Sequence, residues 1–357
     1  MNNNYIIIMA GGIGSRFWPF STKETPKQFL DILGTGRTLI QQTVDRFTEI
    51  APKENIFIVT NKDYKGLINE QLPFISDEQI LLEPGRRNTA PCIAYASYKI
   101  QKQNPEANII VSPADHVIVK EGIFKDTLRE VLYISEKEDV LVTLGIQPSR
   151  PDTGYGYIQV NEESRLGSLY KVKQFTEKPQ KEKAIRFLES GDYVWNSGIF
   201  IWNVDAITKA FSEHMSNLAI AFNEIADDFY TEREQKAVAR VYQDCGSISI
   251  DYGIMEKAQN VFVKPCVIGW SDLGTWKSLF DISKKDDANN VLDGDIHVYN
   301  TKNSIIKTPQ DKLLIVQGLN NFIIAEKDNV MVICNKDDEQ RIKEFVSELQ
   351  EKEIEKV

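Results

Sequence analysis

The sequence predicts an α/β protein built on a mixed, mostly parallel sheet, followed by a small β-rich module and a terminal helix. Two patterns carry this. Apolar strand-like runs alternate with helix-like segments through the first half. From about Asn289 onward the chain breaks into brief β segments separated by Asn, Asp and Gly. The strand-like runs are Tyr5–Ala10, Asn55–Thr60, Ile80–Leu82, Asn108–Ser112 and Val140–Leu144, with helical patterns near Leu39–Ile50, Thr89–Gln103 and Ile123–Ser135. Such a βαβα rhythm places helices on both faces of the sheet and a ligand crevice outside the carboxyl ends of its strands. The turn at 11–16, Asn61 and Pro113-Ala114-Asp115-His116 all follow strands, so they are expected at that crevice.

Beyond Arg150 the pattern is mixed. Tyr155–Val160, Leu169–Thr176 and Tyr193–Trp202 read as strands, Lys181–Leu188 as a helix, and Val204 to Gln243 as helical. The β module is expected at Ile296–Asn300, Ser304–Lys307, Leu313–Val316, Asn321–Glu326 and Val330–Cys334, closed by a charged helix from about Asp337 to Lys352. The Lys/Asp/Asn-rich stretch Asp286–Asn290 has linker composition, which divides the chain into 1–286 and 287–357.

Composition limits the functions available. The chain has 357 residues, 26% of them charged, and a net charge of -10, which argues against nucleic acid as a partner. No apolar run is long enough to span a bilayer, and no signal-peptide pattern precedes the first strand. Cys92, Cys245, Cys266 and Cys334 are scattered and three histidines are present, so reduced thiols in the cytoplasm are expected rather than disulfides or a His-rich metal site.

The first turn carries the strongest chemical signal. Gly11-Gly12-Ile13-Gly14-Ser15-Arg16 exposes backbone N–H groups that suit phosphate oxygens, with Arg16 and, farther on, Lys27 as cations. It is neither a dinucleotide fingerprint, since Phe17 replaces the third glycine, nor a P-loop, since Lys27 comes too late. An ordinary strand-to-loop turn is the rival reading. Asp115, after an apolar strand, suits Mg²⁺ held against phosphates or else a turn. Asp272 in Gly269-Trp270-Ser271-Asp272-Leu273-Gly274-Thr275-Trp276 reads on its own chemistry first as the cap of a following helix, and otherwise as a second such carboxylate. In Glu83-Pro84-Gly85-Arg86-Arg87-Asn88-Thr89, Asn88 or Thr89 could cap a helix or meet a base edge, and the arginines read as solvated charges. Thr153-Gly154-Tyr155-Gly156-Tyr157, Glu177-Lys178-Pro179 and Trp195-Asn196-Ser197-Gly198 mix donors, acceptors and glycines as polyol recognition requires.

Taken in order, these motifs, with Pro26-Lys27-Gln28-Phe29 and Ser249-Ile250-Asp251-Tyr252, resemble the sugar-nucleotide pyrophosphorylases, most closely their mannose-1-phosphate guanylyltransferase branch. The resemblance covers about the first 280 residues. It implies a Rossmann-like nucleotidyltransferase domain, a left-handed β-helix-like module that often helps form a homodimer, and Mg²⁺ as cofactor. It implies GTP and mannose 1-phosphate as substrates, GDP-mannose and pyrophosphate as products. Ala10, Gly11, Gly12, Gly14, Ser15, Arg16 and Lys27 would meet the triphosphate, with Asn88 and Thr89 near the guanine. Asp115 and Asp272 would hold the metal. Tyr155, Gly156, Glu177, Lys178 and Asn196 would hold mannose 1-phosphate, with Asp251 nearby. Longer members of the family carry an added isomerase domain, and no isomerase activity is expected of these residues. A pyrophosphorylase for another base or hexose, and a catalytically silent sugar-nucleotide sensor, are the competing expectations.

Overall fold

A computed structural model of the chain describes residues 3–12 and 14–352, without the Ser15 side chain. Two compact units account for it: residues 1–11, 43–114 and 118–270 in one, and 12–42, 115–117 and 271–357 in the other. The division by packing therefore follows other lines than the division by composition, because two early segments pack with the C-terminal part of the chain.

The first unit holds a nine-stranded sheet. In chain order its strands are β1 (Asn4–Met9), β2 (Ile56–Asn61), β3 (Ile80–Glu83), β4 (Asn108–Pro113) and β5 (Leu141–Ile146), then β6 (Tyr157–Leu166), β7 (Leu169–Thr176), β8 (Tyr193–Asn203) and β9 (Val261–Cys266). Their spatial order is β3-β2-β1-β4-β8-β5-β9-β7-β6. The four strands at the β3 end are parallel, each neighbour in register, as the βαβα rhythm requires. β8 runs antiparallel to both β4 and β5. β9 pairs parallel with β5 and antiparallel with β7, and the β6–β7 hairpin completes the mixed half. In β1, Tyr5, Ile6, Ile7 and Ile8 are all buried, as expected of a strand covered on both faces.

Helix Thr89–Gln103 has every residue from Ala90 to Ile100 buried, so it is fixed against the sheet and the helices beyond it. Burying Lys99 in that helix demands an anion, and Glu234 supplies it at 2.7 Å. The helical stretch after β8 resolves into Val204–His214, Ser216–Glu224 and Glu234–Asp244.

The second unit contains a parallel β coil. Val291, Ile305 and Ile323 stack as successive partners, and Asp295–Tyr299 pairs parallel with Leu313–Gln317. Asparagine side chains join the turns: Asn289 Nδ2 donates to Asn303 Oδ1 at 2.8 Å, and Asn303 Nδ2 to Asn320 Oδ1 at 2.9 Å. Asn289 and Asn303 have positive φ, a conformation asparagine tolerates better than most residues. Phe322–Lys327 and Val330–Asn335 close the coil as an antiparallel pair. The terminal helical segment begins as a 3₁₀ turn, Lys336–Arg341, and continues as Ile342–Glu351. Among the described residues no helix is long and apolar enough to cross a membrane.

Candidate active site

In the second unit Asp115 and the Asp272 turn come together around the Lys27 ammonium, and Gly14 packs against the Lys27 Cβ and backbone. Lys27 opens a 3₁₀ turn, Lys27–Phe29, and is only 4% exposed. Its Nζ lies 2.9 Å from Asp115 Oδ2 and donates to the carbonyl oxygens of Asp272 (2.9 Å) and Leu273 (2.8 Å). Three N–H bonds thus meet three oxygens from distant parts of the sequence. Burial would raise the Asp115 pKa, but the charge of Lys27, followed by that of His116, outweighs it and holds the carboxyl below its usual range.

Asp272 is not a helix cap. The following helix, Trp276–Ile282, is capped by Thr275, which exchanges hydrogen bonds with Ser278. The Asp272 carboxylate instead folds over its own turn, Oδ1 accepting from the Gly274 N–H at 3.1 Å. Gly14 has φ 66°, and a Cβ there would lie 2.6 Å from Lys27 Cβ, so both its conformation and this close approach call for glycine. The Gly12 carbonyl accepts from Gln28 Nε2 at 2.9 Å, and the Gly14 carbonyl from the Ser21 hydroxyl. These bonds turn the carbonyls toward protein donors. Arg16 is half-buried, with Nε donating to Gln340 Oε1 at 3.1 Å. The expected role of Ser15 falls on a side chain outside the described residues.

In the first unit, Ala10 serves the sheet: its N–H donates to the Val59 carbonyl at 2.8 Å and its carbonyl accepts from Thr60 Oγ1 at 3.0 Å. That N–H is already bonded, which weighs against the expected phosphate contact. Gly11 faces a carboxylate the sequence reading had left without a role. A Cβ on Gly11 would sit 3.4 Å from Glu83 Oε2. Glu83 is buried at the end of β3, which raises its pKa to about 7, while the Tyr242 hydroxyl donates to its Oε1 at 3.0 Å. Asn88 caps the buried helix, its φ positive and its Oδ1 accepting from the Thr89 N–H at 2.9 Å. Thr89 Oγ1 accepts from the Ile250 N–H at 2.9 Å, linking that helix start to the residue before Asp251. Arg86 and Arg87 are not merely solvated: Arg86 donates to the Tyr64 hydroxyl and Arg87 to the Tyr242 carbonyl.

Gly156, Glu177, Lys178, Asn196 and Asp251 form a second polar cluster. Asn196 is its hub: Oδ1 accepts from Thr143 Oγ1 at 2.8 Å, Nδ2 donates to Asp251 Oδ1 at 2.9 Å, and its N–H donates to the Gly156 carbonyl at 2.8 Å. A Cβ on Gly156 would overlap Glu177 Oε2 and lie 3.3 Å from Asn196 Cβ. Lys178, itself at positive φ, pairs with Glu177; burial would lower its pKa, but the bond and charge of Glu177 raise it. Asp251 starts a π-helical turn, Asp251–Met255. Burial, then the Glu177 charge, lift its pKa to about 7. Tyr155 packs in an aromatic group, with Trp195 and Trp270 rings at 4.9 and 5.2 Å and the Arg150 guanidinium over its ring. Trp195 and Trp270 lay inside motifs already noted, but nothing local signalled that they would meet.

Comparison with known proteins agrees with this architecture. Residues 5–289 match the family described as nucleotidyl transferase, and residues 295–349 the MannoseP isomerase/GMP-like beta-helix domain. The chain is 36% identical over 352 residues to the alginate biosynthesis protein AlgA of Pseudomonas putida, covering 97% of this chain and 71% of that protein. It is 35% identical over 354 residues to mannose-1-phosphate guanylyltransferase 2 of Escherichia coli O157:H7, covering 96% and 73%. The crystal structure of a mannose-1-phosphate geranyltransferase from Thermus thermophilus is similar, with TM-score 0.87, 29% identity, and coverage of 98% of this chain and 99% of that one. With this match across most of its length, the chain belongs to the nucleotidyl transferase family.

Proposed function

We propose that the protein transfers GMP from GTP to α-D-mannose 1-phosphate, forming GDP-mannose and pyrophosphate. The observation that carries this reading is the Lys27 ammonium binding the Asp115 carboxylate and the Asp272 turn in one buried cluster. The likeness to a relative named mannose-1-phosphate guanylyltransferase 2 supports the choice of substrates. A phosphate oxygen of the sugar phosphate attacks the α-phosphorus of GTP; the bond from that phosphorus to the bridging oxygen breaks, and pyrophosphate carries away the electron pair. No covalent enzyme intermediate is needed, so positioning and charge neutralisation do the catalysis.

Gly11, Gly12, Gly14 and Arg16 hold the triphosphate in this reading, and Lys27 stabilises charge on the α-phosphate. Since its three N–H bonds already have acceptors, Lys27 must exchange at least one of them for a phosphate oxygen. Asn88 and Thr89 lie at the guanine. Gly156, Glu177, Lys178 and Asn196 take mannose 1-phosphate, with Asp251 beside them and Tyr155 flanking.

Asp115 and Asp272 fit Mg²⁺ by donor chemistry, since both offer hard carboxylate oxygens and Lys27 keeps Asp115 ionised. Among the described residues no group of three or more His, Cys, Asp or Glu could hold a metal. When bound, Mg²⁺ would neutralise charge on the triphosphate. We place the chemistry in residues 1–286 and assign 287–357 to a β-coil module that supports a homodimer, in the cytoplasm. Among the described residues of that module, the large apolar side chains of Tyr299, Leu313, Ile315, Met331 and Ile333 are exposed.

The test is pyrophosphate release from purified protein across nucleoside triphosphates and hexose 1-phosphates, with and without Mg²⁺. GTP with mannose 1-phosphate should be the fastest pair, and chelation should abolish turnover. Preference for dTTP or UTP would overturn the guanylyl assignment, and absence of turnover with every pair would favour a sensor.

A further inference from the structure

Arg16 finds its acceptor 324 residues down the chain: its Nε–H reaches Gln340 Oε1 at 3.1 Å. Gln340 sits in the 3₁₀ turn Lys336–Arg341, and residues on both sides of it are anchored. Glu339 is buried and accepts from the Lys277 N–H at 2.8 Å, at the start of the helix that follows the Asp272 turn. Ile342 is fully buried in the same apolar cluster as Phe17, the neighbour of Arg16. The C-terminal turn is therefore tied to the helix beside the Asp272 turn and to the core beneath the glycine turn, and it presents an exposed carboxamide to Arg16.

We infer that Gln340 is a positioning residue for the triphosphate grip, holding Arg16 by Nε so that its two Nη groups are aimed at phosphate oxygens. This rests on the reading of Arg16 as a triphosphate ligand. A guanidinium has five N–H bonds in one plane, so fixing Nε–H sets the direction of the remaining fork. Two parallel N–H bonds to a phosphate then form with less loss of side-chain freedom. A neutral acceptor suits this task. A carboxylate in its place would pair with the cation and compete with phosphate for it. The next helix adds Lys343, whose pKa is lowered by burial and then by the charge of Arg16, so a second cation stands in the field of the first.

The test is steady-state kinetics on the full chain with Gln340→Ala, Gln340→Glu, Arg16→Ala and the Arg16→Ala/Gln340→Ala double variant. Gln340→Ala should raise the KM for GTP about fivefold, the loss of one hydrogen bond to a charged group at an exposed site. The kcat and the KM for mannose 1-phosphate should stay within about twofold of wild type. Gln340→Glu should raise the KM for GTP further, with a steeper dependence on salt. In the Arg16→Ala background, Gln340→Ala should have no added effect, because Gln340 acts only through Arg16. An equal effect in both backgrounds would overturn the inference, as would an unchanged KM for Gln340→Ala when Arg16→Ala raises it. If Arg16→Ala itself leaves the KM for GTP unchanged, the reading of Arg16 falls and the inference falls with it. Urea midpoints of Gln340→Ala should match wild type, and a large drop would mark the residue as merely structural.

Discussion

Replacing Asp251 by Asn should stabilise the protein at high pH and leave it almost unchanged at low pH. Burial and the Glu177 charge raise the Asp251 carboxyl from 3.8 to about 7. In the unfolded chain the same group ionises near its ordinary value. Between those two values the folded state holds a proton that the unfolded state has lost, so stability falls as pH rises through the window. A carboxyl moved this far destabilises the ionised folded form by up to about 4 kcal/mol. Asp251 is half-buried, and partial access of water reduces the expected figure to about 2 kcal/mol. Asparagine keeps the shape and can still accept the hydrogen bond from Asn196 Nδ2, while removing the charge. Urea unfolding of wild type and Asp251→Asn at several pH values between about 4 and 8 measures the difference directly. The variant should gain nothing at the acid end and about 2 kcal/mol above pH 7. Glu83, also raised to about 7, contributes the same trend to both proteins and cancels in the comparison. A gap between the two proteins that is constant across pH would refute the reasoning.

Two more substitutions probe the separate clusters. Lys27→Ala strips three oxygens of their common donor; turnover should fall about 10²- to 10³-fold and stability by about 3 kcal/mol, and turnover near wild type in pyrophosphate release would remove Lys27 from the mechanism. Gly156→Ala forces a Cβ into Glu177 and toward Asn196, an overlap costing about 1–3 kcal/mol. It should raise the KM for mannose 1-phosphate about tenfold or more while the KM for GTP barely moves, and an equal rise in both would show that the cluster does not belong to the sugar.

Much of the fold was legible because its signals are local. Helix Thr89–Gln103 has the bounds its pattern predicted, since Asn88 caps it and an unbroken apolar stretch fills it. β1 was equally plain from Tyr5 to Ile8. Strand β9, Val261–Cys266, was missed; its apolar run Val261-Phe262-Val263 is short and is followed by Lys264 and Pro265, and only its place between β5 and β7 makes it a sheet strand. Helix Lys65–Gln71 was also missed, having a single buried residue to mark its face. At the sites the residue types were legible, and they suggested phosphate-seeking and polyol-seeking chemistry. Their pairings were not. Lys27 reaches Asp272 across 245 residues and Tyr242 reaches Glu83 across 159, and no local pattern encodes a contact of that span.

The sequence by itself determined the order of most strands and helices, the glycines that shape the first turn, and the inventory of cations, carboxylates and amides. These follow from periodicity, turn chemistry and residue type, which act over a few residues. The tertiary structure alone decided which charges became partners and which became titratable near neutrality. It drew Asp115 down with an ammonium, lifted Glu83 and Asp251 by burial, and turned Asp272 from a possible cap into a carboxylate on its own loop. Solvation and Coulomb energy depend on what surrounds a group in space, and only folding sets those surroundings.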